Sequence, residues 1–86
     1  MGNLYGSVVD AHGTGLPGVT VTLSGQGLPQ VQVTDAEGHF RFIGLQPGRY
    51  QIRAELEGFS TARYPNVDIA AHRDAQLEIT LEPAIG

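Results

Sequence analysis

The sequence predicts an all-β fold, a seven-stranded Greek-key β-sandwich. Three observations carry that prediction: short runs in which apolar and polar residues alternate, turn-forming residues between successive runs at intervals of roughly 8 to 14 residues, and no segment with the 3.6-residue period of a helix. Residues 1–86 are expected to form a single domain with its core over about residues 4–82.

Leu4 to Asp10 reads as the first strand, with Val8 and Val9 suited to a pleated surface and Gly6 permitting a close approach or a bulge. Asp10 to Gly15, DAHGTG, is a loop. After Leu16-Pro17-Gly18, residues Val19 to Leu23 alternate cleanly, with Val19, Val21 and Leu23 predicted inward and Thr20 and Thr22 outward. Ser24 to Pro29 turns the chain. Gln30 to Thr34 alternates again, and its Val31 and Val33 are expected in the core.

Two turns of defined chemistry follow. Asp35-Ala36-Glu37-Gly38 places Asp at the first and Gly at the fourth position of a type I turn, where the carboxylate caps backbone N–H groups. His39 to Ile43 then carries Phe40 and Phe42 on one side. Gln46-Pro47-Gly48-Arg49 has Pro where φ near −65° is wanted and Gly where φ must be positive, which predicts a type II turn. Tyr50, Ile52 and Ala54 share the inner face of the next strand, opposite Arg49, Gln51, Arg53 and Glu55. Glu57-Gly58-Phe59 closes it, and Ser60 to Ile69 continues as an irregular sixth strand whose Pro65 belongs at an edge or bulge. Ala70 to Ala75 is a polar loop, Leu77, Ile79 and Leu81 mark the last strand, and Pro83 to Gly86 is a tail. The expected core is Val8, Val19, Val21, Leu23, Val31, Val33, Phe40, Phe42, Leu45, Tyr50, Ile52, Ala54, Val67, Ile69, Leu77, Ile79 and Leu81.

Composition narrows the function. A chain of 86 residues has a small core, burying only about 60 to 65 per cent of the surface its unfolded form exposes. With no cysteine there is no disulfide to supplement it. A net charge of −4, from nine acidic and five basic residues, argues against a nucleic-acid partner, which needs a concentrated positive face. No apolar run approaches the roughly 20 residues of a membrane span, so this segment is not expected to insert in a membrane. The N-terminus lacks the plan of a signal peptide, so the chain is expected to be cytosolic or a piece of a longer protein. All the basic residues are arginine.

Several motifs fall in one order: Gly6-x-Val8-x-Asp10 with Gly13, Leu16-Pro17-Gly18-Val19-x-Val21-x-Leu23, Thr34-Asp35-x-x-Gly38-x-Phe40-x-Phe42, Leu45-x-Pro47-Gly48-x-Tyr50, and Gly58-Phe59. In that order and spacing the chain, from about Gly6 to Leu81, resembles the carboxypeptidase regulatory-like domain. The resemblance implies a transthyretin-like (prealbumin-like) sandwich and a non-catalytic accessory module. Such modules occur beside the catalytic domain of some metallocarboxypeptidases, at the N-termini of TonB-dependent receptors and in tandem in bacterial surface proteins. It implies a spacer, folding or docking role in a larger cell-envelope or secreted bacterial protein, outside the cytoplasm, with neighbouring domains as partners and no cofactor. The alternative is a carbohydrate- or peptide-binding module that uses loops or an edge strand. The related collagen-adhesin B-type domains are stapled by a Lys to Asn isopeptide bond, which a chain without lysine cannot form. Hydroxyisourate hydrolases share the general sandwich but end in Tyr-Arg-Gly-Ser, whereas this sequence ends Glu82-Pro83-Ala84-Ile85-Gly86. Intradiol dioxygenases hold iron with tyrosines and a His-x-His that has no counterpart here.

The remaining candidates each have a plainer reading. His12, His39 and His72 could bind a metal, but no pair has ligand spacing, and surface positions in loops are expected. Asp10, Asp35 and Glu37 could bind calcium, but D-x-x-G lacks the repeated acidic positions of such a loop and suits turn capping. Arg41, Arg49 and Arg53 could form an anion site or a solvated face shared with Glu55 and Glu57. Among exposed aromatics Tyr5, Phe59 and Tyr64, Tyr64 beside Pro65 is the best binding candidate, with Arg41 and Arg53, against simple packing on the next strand. Asp35, Gly38, Leu45, Pro47, Gly48 and Tyr50 are assigned structural roles, Tyr50 bonding its hydroxyl to backbone a few residues upstream as in a tyrosine corner. The domain is expected to be a monomer. Its intact mass should show no loss of about 17 or 18 daltons relative to the sequence, the signature of an internal amide; mass spectrometry of the purified chain checks this.

Overall fold

The structure, a computed structural model, describes residues 1–85, so Gly86 at the end of the predicted tail lies outside the described residues. Seven strands run in order: β1 (Gly2–Val9), β2 (Thr20–Ser24), β3 (Gln30–Val33), β4 (His39–Leu45), β5 (Gly48–Glu55), β6 (Ala62–Ile69) and β7 (Asp74–Thr80). They form a three-stranded sheet, β4-β1-β7, facing a four-stranded sheet, β3-β2-β5-β6. All pairs are antiparallel except β1 with β7, which is parallel. The two sheets meet where β3 approaches β4, so β2, β3 and β4 are successive neighbours and β5 returns beside β2, a Greek key wrapped across both sheets.

The core lies between the inner faces. Leu4 and Val8 of β1, Phe40, Phe42 and Leu45 of β4 and Ile79 of β7 meet Val21 and Leu23 of β2, Tyr50, Ile52 and Ala54 of β5 and Ile69 of β6, with Val19 and Leu81 at the rim, all buried. Alternation produces this directly, because side chains two apart on a strand share a face. Gly6 faces Phe40 across the β1–β4 ladder, and the Phe40 ring occupies the place a side chain at Gly6 would take. Phe40 and Phe42 then stack edge to face with centroids 5.9 Å apart.

Val31 and Val33 are not in the core. The β2–β3 register sets Val21 opposite Gln32, so Gln32 takes the inward side and the two valines stand on the outer face beside Thr20 and Thr22, 55% and 58% exposed. Only Thr34, one residue beyond β3, reaches the interior, where its hydroxyl accepts from the Val19 amide at 2.9 Å and donates to the Leu16 carbonyl at 2.6 Å. Val67 and Leu77 are half-buried rather than buried, because they lie on the edge strands β6 and β7, beside an opening that Tyr64, Pro65 and Ala75 also line. Leu4, which the expected core omits, is fully buried.

Pro65 sits on β6, an edge strand, within the stretch where the β5–β6 register shifts, so its missing N–H interrupts no ladder rung. The 46–49 segment departs from the expected type II turn. Gly48 has φ of 150° rather than the value near 80° such a turn needs, and no backbone bond joins Arg49 to Gln46. The segment is a corner that carries the chain from one sheet to the other.

These placements predict unequal costs. Gly6→Ala should destabilise by about 1 to 3 kcal/mol through displacement of the Phe40 ring, and Leu23→Ala by about 2 to 5 kcal/mol through an unfilled cavity. Val33→Thr should change stability by less than about 0.5 kcal/mol. Urea denaturation of the three variants measures all of these together.

Candidate functional site

Two loops of the same chemistry organise one end of the sandwich. In Asp10-Ala11-His12-Gly13-Thr14, Asp10 Oδ1 accepts from the His12 and Thr14 amides at 2.9 and 3.0 Å, and the Gly13 amide donates to the Asp10 carbonyl at 3.0 Å. In Asp35-Ala36-Glu37-Gly38-His39, Asp35 Oδ1 accepts from the Glu37 and His39 amides at 3.0 and 2.9 Å, and the Gly38 amide donates to the Asp35 carbonyl at 3.0 Å. Gly13 and Gly38 take nearly the same left-handed conformation, φ of 82° and 84°. The loops nest against each other, so that a Cβ at Gly38 would strike the Val8 carbonyl and the Leu16 amide. The Thr14 amide, with that of His12, holds the Asp10 carboxyl below its ordinary value of 3.8. The His39 amide, with that of Glu37, does the same for Asp35.

At the other end, Leu45 closes β4 inside the core, Pro47 turns the chain and Gly48, at φ of 150°, opens β5 beside the Gln26 side chain. The Tyr50 hydroxyl donates to the Gln46 carbonyl at 2.7 Å. Its ring is 2% exposed, and burial pushes the phenol above its ordinary value of 10.0.

Of the three binding candidates, Arg41 stands alone on the three-stranded sheet, while Arg53 and Tyr64 line one depression on the four-stranded sheet together with Arg63 and Pro65. Arg41 pairs with Tyr5 on the outer face of the three-stranded sheet. Arg53 lies on the outer face of the other sheet, opposite Arg63, with its Nε 3.1 Å from Glu55. Tyr64 turns inward, opposite Ile52, half-buried against the core. Arg49 pairs with Asp68 across β5 and β6 at 3.0 Å, both side chains well exposed, so the pair adds little to stability. The histidines are dispersed: His12 and His39 belong to the end with the paired loops, and His72, at φ of 59°, to the opposite end, where its amide donates to the Met1 carbonyl at 3.0 Å. Among the described residues no three His, Asp or Glu side chains gather as a metal site.

Sequence reasoning did not identify a depression of about 800 Å³ that runs from Tyr5, Ser7, His39, Arg41, Gln76 and Glu78 of the three-stranded sheet to Gln32 and Val33 of β3. Tyr5, Ser7, His39, Arg41, Gln76 and Glu78 occupy outward positions on β1, β4 and β7, and the alternation within each strand shows that much. Which strands share a sheet is a long-range fact that no local pattern states.

A family model of the carboxypeptidase regulatory-like domain matches residues 3–82. The chain belongs to this family. No curated protein matches it in sequence. Among solved structures it is similar to the Bacillus anthracis TIE protein, at 18% identity and a TM-score of 0.79, covering 95% of this chain and 16% of that one. It is similar to a Streptococcal ancillary pilin, at 15% identity and 0.73, covering 94% and 32%. It also resembles the 5-hydroxyisourate hydrolase of Klebsiella pneumoniae, at 27% identity and 0.74, covering 99% and 93%. The carboxypeptidase regulatory-like chain thus spans a small part of the first two proteins and nearly the whole length of the third. The fold is the transthyretin-like sandwich.

The ionisable groups predict a stability profile with two limbs. A carboxyl held low in the folded state binds fewer protons than in the unfolded chain, so the contribution of Asp10 and Asp35 is present above 3.8 and lost as pH falls below it. A phenol held high binds more protons when folded, so the contribution of Tyr50 is lost as pH rises above 10.0. Melting temperature against pH should fall at both extremes, with Asp10→Asn plus Asp35→Asn flattening the acid limb and Tyr50→Phe the alkaline one.

Proposed function

We propose that this domain is a non-catalytic spacer within a larger cell-envelope or secreted bacterial protein, holding its neighbours at a set separation. The observation that carries this reading is the parallel pairing of β1 with β7, which sends the two ends of the chain out of opposite ends of a body 40 Å long and 21 by 16 Å across. A module so connected adds its length to whatever it joins. The placement of the polar residues supports the same reading, since they occupy turns and outer faces while the interior is lined by aliphatic and aromatic side chains. Similar sandwiches occur within a pilin and within the much longer TIE protein.

The depression around Tyr5 and Arg41 favours a second reading, a carbohydrate or peptide site: one exposed aromatic face flanked by Gln76, Glu78 and Arg41 offers stacking and hydrogen bonds together. The test inserts the domain between two folded proteins and measures their separation by small-angle scattering, expecting an increase close to the 40 Å long axis. An unchanged separation would contradict the spacer. In parallel, the isolated domain is screened by thermal shift with glycans, peptides, zinc and calcium, and for turnover of ester and amide substrates. Stabilisation by a glycan or peptide that Tyr5→Ala abolishes would replace the spacer reading with the binding one. Turnover lost on mutating His12, His39 or His72 would establish an enzyme.

A further inference from the structure

The β1–β7 ladder has a geometry that matters when the two ends of the chain are pulled apart. β1 begins at one end of the sandwich and β7 finishes at the other, so tension on the chain ends drags these neighbours in opposite directions along their shared axis. A ladder pulled along its strands strains every rung together, whereas one pulled across its strands opens a rung at a time. We propose that the β1–β7 pairing is a shear clamp, by which the domain keeps its fold when the longer protein is stretched through it; this deepens the spacer reading and rests on it.

The ladder is built for that role along its whole length. Seven consecutive pairs, Asn3 with Asp74 through Val9 with Thr80, run without a break in register. Backbone bonds continue the contact past both ends, from the His72 amide to the Met1 carbonyl at 3.0 Å and from the Leu81 amide to the Val9 carbonyl at 2.9 Å. The Asn3 side chain adds a bond to Asp74 at 2.9 Å. Because β1 is the central strand of its sheet, sliding it also breaks its rungs with β4 and drags Leu4 and Val8, both at 0% exposure, through the core. Gly2 is wedged against the Ala70 and Arg73 carbonyls and Ile69, so the start of β1 is seated where β6 passes to β7. At the far end the tail is held more lightly, by the Ser60 amide on the Glu82 carbonyl at 2.8 Å and the Ala84 amide on the Gly58 carbonyl at 2.9 Å. That contact yields first and passes the tension to Leu81, which is fully buried. With neither cysteine nor lysine in the chain, no disulfide or lysine isopeptide shares the strain.

Single-molecule force spectroscopy on the full chain tests this by changing only the direction of pull. In one geometry handles are fused to the two termini. In the other they join Met1 and Arg73→Cys, a unique thiol in a cysteine-free chain, so that the same ladder is opened from the end where β1 and β7 both begin. Rupture between the termini should need several-fold more force than rupture between Met1 and residue 73. Equal forces in the two geometries would overturn the clamp, while the interdomain separation measured by scattering decides the spacer independently. A third arm uses Tyr50→Phe, which removes the bond to the Gln46 carbonyl at the far corner but keeps the ring in the core, and which should lower the melting temperature yet leave the end-to-end rupture force unchanged, since that bond lies outside the ladder whose rupture sets the barrier. A rupture force that falls with the melting temperature would also overturn the proposal.

Discussion

The structure depends on how β1 is held. This strand is paired on both sides, antiparallel to β4 and parallel to β7, and its inner face presents Leu4, Gly6 and Val8 to the core. A chain of this size has little apolar surface to bury and no covalent cross-link, so a poorly packed central strand would be costly. The pair of Gly6 with Phe40 resolves a local conflict: glycine weakens a strand, yet its missing side chain is what lets the tip of a large ring sit against β1. The phenylalanine supplies the burial that the glycine forgoes.

Polar groups are handled by the same economy. Among the described residues Thr34 is the only buried polar one, and its hydroxyl both donates and accepts. No buried side-chain nitrogen or oxygen among the described residues lacks a partner. The paired Asp-Ala-x-Gly loops follow the rule at the surface: one carboxylate oxygen satisfies two amides that the reversal of the chain would leave free. Tyr50 does so at the opposite corner, where the bend at Pro47 leaves the Gln46 carbonyl without a turn bond and the phenol supplies the donor.

What was legible in the sequence was local. The two Asp-Ala-x-Gly loops and the alternation of Tyr50, Ile52 and Ala54 each express their geometry within a few residues. So do the prolines, Pro65 at an edge and Pro47 at a corner. The Gln-Val-Gln-Val strand shows where such reading fails. Strict alternation says that one set of side chains faces in but not which, and hydrophobicity favours the valines. The β2 register then decides for Gln32 and Thr34, because Thr34 must reach Val19 and Leu16. β3 also overhangs the edge of the facing sheet, so its inward side is wet and glutamine is tolerated there. The candidate site divided in the same way. The environment of Tyr50 is set by residues four apart, whereas the depression around Tyr5 and Arg41 assembles β1, β3, β4 and β7 from both sheets, and the anion site imagined for Arg41, Arg49 and Arg53 is divided between opposite sheets.

The parallel β1–β7 pair is the feature on which the proposed spacer role rests. Had the last strand joined the sheet antiparallel to the first, β1 would begin and β7 would finish at the same end of the sandwich. Parallel pairing requires a crossover, and the whole Greek key between β1 and β7 provides it. Five strands, the corner and the paired loops therefore do two things at once. They enclose the core, and they return the chain to the side of β1 running in the same direction, so that β7 finishes at the end of the body opposite to the one where β1 begins.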